Sequence, residues 1–411
     1  MALPLKGMVV VLLLLALMVG SGVAYSSEKE VEGAAEGAVA VEWEEHASGN
    51  VTIEDILAVQ KHNRAMHIMA MLMVGFGFLM VFVKRYGYSA VTATYVVVSI
   101  AIPLYIYLKG KGYYGEPFDV YIDKLLFAEF AAASLLIAIG APLGRLKMRQ
   151  FIFMALLFIP SYMLNEYILV DNGLGLIPKG EVIDTGGSLL IHAFGAYFGM
   201  GVIVRMTSKE DFEKEVESSK VSNQFSMLGS MVLWVFWPSF CAAIVEPALI
   251  PYAAVNTVIS LCGATLSTLL FSKMLRGKIV IEDMANAALA GGVAIGATCA
   301  HATPKMALII GLAAGAISVI GYAGIQAKFQ KLLKGIDTCG VHNLHGMPGL
   351  FGGIMAIFIV NGINAGSQIK GIVITVILAL VTGLATGSIL SLMGYRNDSY
   401  NDEEEFAIEG E

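Results

Sequence analysis

The sequence predicts an all-α polytopic membrane protein of eleven transmembrane helices, arranged as two inverted five-helix repeats plus one. Three observations predict it. Hydrophobic residues make up 57% of the 411 and charged residues only 14%, so apolar runs of about twenty residues, the length that crosses a bilayer, recur from end to end. Lys and Arg gather in alternate loops. Two stretches, 183–200 (IDTGGSLLIHAFGAYFGM) and 336–353 (IDTCGVHNLHGMPGLFGG), share an opening Asp-Thr-x-Gly that leads into an apolar run containing histidine.

In chain order, residues 1–24 carry Lys6, an apolar run from Met8 to Val19, and small residues at Gly22 and Ala24. That is the pattern of a signal peptide cleaved near Ala24, with an uncleaved anchor helix as the alternative. Residues 25–62 are acidic and polar, an extracellular segment. Within it Asn50-Val-Thr52 matches a glycosylation acceptor, and Thr52-Ile-Glu-Asp55 reads as a capping box that starts a helix ahead of the membrane. Apolar spans follow near 65–83, 90–108, 125–144, 150–170, 188–206, 224–247, 252–272, 284–302, 306–325, 343–361 and 370–393. Loops after the odd spans hold Lys84 and Arg85; Arg145, Lys147 and Arg149; Lys209, Lys214 and Lys220; Lys273, Arg276 and Lys278; Lys328, Lys331 and Lys334. Loops after the even spans are poorer in such residues, apart from Lys109 and Lys111. A multi-pass protein of the cell membrane follows, N-terminus outside and C-terminus cytoplasmic, which agrees with the signal peptide. Residues 395–411 form a short acidic cytoplasmic tail.

The net charge of -7 lies mostly in the two acidic ends, so nucleic acid is no expected partner; the lipid bilayer is. The four cysteines have no ligand-like spacing and read as small core residues, so neither metal nor other cofactor is expected. The 45 glycines suit close helix approach.

With alternating spans, the fifth descends from outside and the tenth rises from inside, one Asp-Thr-x-Gly entering from each face. Transporters place their pathway between such inverted halves. Ionisable residues are costly in hydrocarbon and usually face a pathway, which singles out His192 and His342. Two neighbouring imidazoles can share a proton and form a polar line for a small hydrogen-bonding solute, whereas a bare cation must shed its hydration. The bland alternative is two satisfied core histidines; their matched contexts favour function. Asp184 and Asp337 precede small-residue turns. Each either caps a helix end by accepting backbone N–H bonds, the favoured role, or draws a cation to the pore mouth. His345, one turn after His342, is a secondary pore candidate. Phe130 and Phe240 are candidates to close an outer vestibule, although most such rings simply pack. Pro238 is expected to kink span six, and Glu129 and Glu166 each need a partner. Haem or zinc binding by membrane histidines is disfavoured, since zinc catalysis wants three ligands. A sensor would need an output domain larger than residues 395–411.

The motifs GFGFLMVFVKRYG (75–87), AEF (128–130), LNEY (164–167), IHAFGAYFG (191–199), LWVFWPSF (233–240), NAALAGGVAIG (286–296) and DTCGVHNLHGMPGLFGG (337–353) resemble, in this order, the Rhesus (Rh) branch of the ammonium transporter superfamily. The resemblance covers about 65–390 and makes 63–394 an ammonium transporter domain. It implies that family's eleven-helix fold, a homotrimer with one pore per subunit, and no enzyme activity. By motif the family's twin pore histidines fall on His192 and His342, its phenylalanine gate on Phe130 and Phe240, and its outer acid on Asp184. The implied substrate is ammonium or ammonia: the ion loses its proton at the mouth and neutral ammonia passes the histidines. Carbon dioxide passage, or ammonium sensing, is the alternative. The Trp and Ser by which the classical Amt branch recruits ammonium are missing, because the tryptophans are Trp43, Trp234 and Trp237 and the Ser position holds Ile244. The resemblance gives no reason to expect docking by a P-II-type regulator.

Overall fold

A computed structural model describes residues 51–118 and 120–408. The expected signal peptide and glycosylation acceptor Asn50, Trp43 and most of the acidic N-terminal segment fall outside the described residues. The chain divides into two compact units, Met1–Leu57 and Ala58–Glu411. In the first, Thr52 opens a helix as expected: its N–H donates to Asp55 Oδ2 at 2.8 Å, and the Asp55 N–H donates to Thr52 Oγ1 at 3.2 Å.

Eleven long helical segments are present among the described residues, with no strand: α1 Ile53–Phe82, α2 Gly87–Gly110, α3 Tyr121–Gly140, α4 Met148–Val170, α5 Ser188–Met206, α6 Lys220–Cys241, α7 Pro247–Arg276, α8 281–298, α9 Pro304–Leu333, α10 342–359 and α11 Ala365–Ser391. All eleven expected spans are here. Seven are long and apolar enough to cross a membrane on length and composition alone (α1, α2, α4, α5, α7, α9 and α11). The boundaries differ where polar helix continues beyond the apolar run: α1 starts twelve residues early through its capped polar turns, and α9 runs on through the Gln326–Leu333 segment. Span three stops at Gly140 instead of 144, where Pro142 and Gly144 (φ +86°) turn the chain. Span six stops at Cys241, so Pro238 lies in its final turn, where it leaves the Trp234 carbonyl without its usual i+4 donor.

α5 lies at the centre. In its apolar window 83% of residues are buried, against 28% in α11 on the periphery. Missing Cβ atoms allow helices to touch backbone to backbone. A Cβ on Gly383 of α11 would sit 2.1 Å from the Phe198 carbonyl of α5, and one on Gly311 of α9 would sit 2.0 Å from the Ser260 carbonyl of α7. α10 crosses α5 in the opposite direction: Gly346 meets Tyr197, Gly349 meets Ala193 and Ser188, and Gly353 meets Leu189.

The tail is not a loose acidic extension. Residues 395–408 are bound to one face of the bundle, with Tyr400 N donating to Gly144 O at 2.9 Å and Arg396 pairing with Glu405 at 2.8 Å.

Candidate functional site

The two Asp-Thr-x-Gly motifs build the same local structure. In each, the N–H of the glycine returns to the carbonyl of the aspartate, Gly187 to Asp184 at 3.0 Å and Gly340 to Asp337 at 3.3 Å. Both glycines have positive φ, +77° and +68°, a region that glycine adopts without a Cβ penalty. The aspartate then caps the helix that follows. Asp184 accepts from Leu189 N at 3.0 Å and Leu190 N at 2.7 Å; Asp337 accepts from Val341 N at 2.9 Å and His342 N at 3.0 Å. Each helix opens with a π-helical turn, Ser188–Ala193 in α5 and His342–Gly346 in α10. Such turns insert one extra residue into the helix and recur at functional sites.

Those turns determine which histidines meet. His192 Nδ1 lies 3.1 Å from His345 Nδ1, with the two rings 7° from parallel and 5.2 Å between centroids. The expected pairing of His192 with His342 is therefore corrected. The equivalent histidines are those eighth after their aspartates, His192 after Asp184 and His345 after Asp337. His342 is only the fifth after its aspartate, so it points to another side of the π turn. It stacks on Phe329 of α9 at 4.3 Å, meets Tyr197 edge-on at 5.8 Å, and its Nδ1 has no partner among the described residues.

Because both Nδ1 atoms share one hydrogen bond, one must donate and the other accept. His192 and His345 are both buried, and His192 Nε2 has no hydrogen-bond partner among the described residues. Phe130 of α3 and Phe240 of α6 lie above His192: their rings touch edge to face at 4.9 Å, and Phe240 lies 6.1 Å from the His192 ring. Phe127 extends this aromatic contact (5.9 Å to Phe130) to a basin of about 540 Å³ between Lys109, Asp123, Glu166 and Asp171. On the other side of the pair, His345 borders an apolar cavity of about 20 Å³ with Phe76, Leu79, Phe82, Ile137, Val341 and Leu344. That is room for a single water-sized molecule. Beyond it a basin of about 320 Å³ opens at Asp337, Thr338, Asp211 and Gln326. Basin, aromatic contact, histidine pair, narrow apolar cavity and second basin follow one another across the molecule.

Glu166 has the partner its burial demands, the Tyr105 hydroxyl at 2.7 Å. Glu129 is buried with neither carboxyl oxygen bonded among the described residues.

The Ammonium Transporter Family profile matches residues 43–406. The chain belongs to that family. Its relatives place it in the Rh branch: it is 37% identical over 365 residues to the ammonium transporter Rh type A of Bos taurus, covering 85% of this chain and 82% of that protein. It is 40% identical to the ammonium transporter Rh type B-B of Xenopus laevis, over 69% of this chain and 62% of that protein. Among solved structures, Rh50 of Nitrosomonas europaea, described with the Rhesus protein family of channels, superposes with a TM-score of 0.85 at 50% identity. That match covers 87% of this chain and 94% of that one. A sensor Amt protein superposes at 0.72 with 20% identity, over 82% of this chain and 93% of that one, a likeness of fold alone. This Rh-type ammonium transporter is accordingly a membrane transporter or channel and no enzyme.

Sequence order favours His342 over His345 as the partner of His192, because His342 is the first histidine after the motif. The signal that finds His345 is the equal Asp-to-His spacing. Trp237, whose indole lies 5.5 Å from the His192 ring and 18° from parallel to it, carried no site signal in the sequence.

Proposed function

We propose that the protein is an Rh-type channel that passes neutral ammonia along the line through Phe130, Phe240, His192 and His345. The observation that carries this reading is the His192–His345 contact, 3.1 Å between ring nitrogens, at the junction of an aromatic closure and a one-molecule apolar cavity. In such a place an ammonium ion loses more hydration than two neutral imidazoles restore, while ammonia loses little and gains a donor and an acceptor. In the outer basin ammonium gives up its proton to water, which returns it to the solution on that side, and ammonia crosses past Phe130 and Phe240. The substrate follows from the relatives' names. Asp184 and Asp337 act as helix caps that hold the histidine turns in place.

The loop charges support an orientation with Asp184 outside and Asp337 cytoplasmic in the cell membrane. The N-terminal sequence supports a cleaved signal peptide, and the family resemblance supports a homotrimer. Carbon dioxide is the second solute, for which the dry, neutral constriction is equally permissive. Native mass measurement of detergent-purified protein gives three chains per particle if the trimer forms and one if it does not.

The test is stopped-flow ammonia uptake into proteoliposomes with an internal pH dye and parallel recording of membrane current. Wild type alkalinises faster than empty vesicles, without current. His192→Ala and His345→Ala both change that rate, and His342→Ala leaves it within about twofold, since His342 lies off the line. A wild-type rate equal to that of empty vesicles, or a sole dependence on His342, overturns the proposal.

A further inference from the structure

The His192–His345 pair lacks the usual means of orienting a histidine. A functional imidazole is ordinarily fixed by a carboxylate or carbonyl on its second nitrogen. Here His192 Nε2 has no partner among the described residues, and the hydrogen bond they show between the two rings is the one through Nδ1. Ring faces are left to fix both planes. Trp237 lies against His192 at 5.5 Å and 18°, and Phe76 against His345 at 6.3 Å and 29°, while the two imidazoles between them lie side by side, 5.2 Å and 7° apart, so that the four rings form a stepped stack joined at its middle by the Nδ1 bond. Three of these rings, Phe76, His192 and His345, sit in π-helical turns: Met71–Phe76, Ser188–Ala193 and His342–Gly346. Three separate helices therefore take the same irregularity where they meet the stack. The fourth ring is seated by a glycine. Gly292 of α8 lies flat against the indole, and a Cβ there would fall 2.5 Å from Trp237 Cε2 and 2.6 Å from its Nε1.

We infer that Trp237 and Phe76 are positioning residues that bracket the His192–His345 pair, and that Gly292 sets the plane of the stack by admitting the Trp237 indole. The role in conduction rests on the function proposed above; the effect on the pair itself does not. Off the indole face, His192 is free to rotate about its χ angles, and the shared Nδ1 hydrogen bond fails.

The experiment uses full-length protein with ¹⁵N-labelled histidine and reads both solid-state NMR of the imidazole nitrogens and proteoliposome uptake. The Nδ1–H···Nδ1 signature is assigned as the one that His345→Ala removes. Trp237→Leu keeps an apolar residue but removes the ring face; it abolishes that signature and changes uptake by about tenfold or more, as misplacement of a reacting group does. Trp237→Phe restores both. Gly292→Ala, which leaves every ring in the sequence, reproduces the Trp237→Leu spectrum in part. Thermal unfolding of each variant separates positioning from folding, because Trp237→Phe and Trp237→Leu then differ in signature at similar stability. If Trp237→Leu keeps the wild-type signature, the inference is wrong whatever the uptake. If the signature is lost while uptake stays at the wild-type rate, the stack positions the pair but the conduction role falls. Wild-type protein that shows the signature but no uptake removes the proposed function and leaves the positioning intact.

Discussion

Asp184 and Asp337 do with two side-chain oxygens what a helix start ordinarily does with a serine or asparagine. Each also faces a turn whose geometry depends on one glycine. The carboxylate-to-amide hydrogen bonds at Asp184 belong to the charged class, about 1.5–3 kcal/mol each. Asp184→Ala is expected to lower stability by roughly 2–4 kcal/mol, read as a fall in Tm in detergent, because it strands the Leu189 and Leu190 amides. Asp184→Asn retains one acceptor oxygen and should lose about half as much. If Asp184→Asn unfolds with the wild type, the charge is not what holds the turn. Gly340→Ala meets the same site from the other motif: its positive φ costs an L-residue about 1–2 kcal/mol, and its Cβ would lie 2.2 Å from the Tyr322 ring. Loss of the Tyr322 hydroxyl bonds to the Cys339 and Gly340 carbonyls, 2.9 and 3.1 Å, should accompany it.

At the scale of helices, the approach of α11 to α5 rests on contacts that leave no room for a methyl. Gly383→Ala should separate the pair and destabilise the protein by about 1–3 kcal/mol, the range for overpacking, whereas alanine at the open Gly324 should be neutral. Thermal unfolding compares them directly. The eleven helices were legible because hydrocarbon-length apolar runs separated by charged loops have few other solutions. The π turns were not legible: periodicity is set by regular 3.6-residue turns, and one inserted residue rotates all that follows it by about a quarter turn or more. That rotation is why counting from the first histidine pointed to His342, while the backbone brings His345 to His192. The aromatic closure of Phe130 on Phe240 was named from motif order; its edge-to-face geometry depends on α3 and α6, which lie far apart in sequence.

Across the whole molecule, the tail packs on the face that bears Asp337, beside the basin. Arg145, buried at the end of α3, donates to the Tyr400 hydroxyl at 2.8 Å, to Thr338 Oγ1 at 2.9 Å and to the Ile336 carbonyl, so the tail and the α10 turn share one guanidinium. Composition could not reveal this, since an acidic stretch reads as solvated until its partners are known. Asp398 accepts from the Lys214 ammonium and from Asn401, and these bonds hold its carboxyl below the ordinary 3.8. A carboxyl held down in the folded state stabilises fully above that value, and the contribution is lost as pH falls through the lower folded value. The pair is exposed, so the effect is small and salt-sensitive. Hydrogen exchange over 397–405, corrected for intrinsic rate, should accelerate as pH falls below 3.8. Lys214→Met should exchange about two- to fivefold faster than wild type at neutral pH, the size of an exposed pair, and show a smaller further rise on acidification. Equal exchange in both proteins at neutral pH would mean that Lys214 does not anchor the tail.

Two helix starts depend on that tail. Asp402 accepts from Tyr88 N and Ser89 N at the head of α2, at 2.9 and 2.8 Å, and Glu405 accepts from Met148 N at the head of α4, at 3.0 Å. Both caps come from residues that leave the ribosome after all eleven spans have been made. During synthesis α2 and α4 must therefore sit in the bilayer with open amino ends, and the earliest helices are finished by the latest residues. A chain cut short within 398–401 would insert every span and still be incomplete at the starts of its second and fourth.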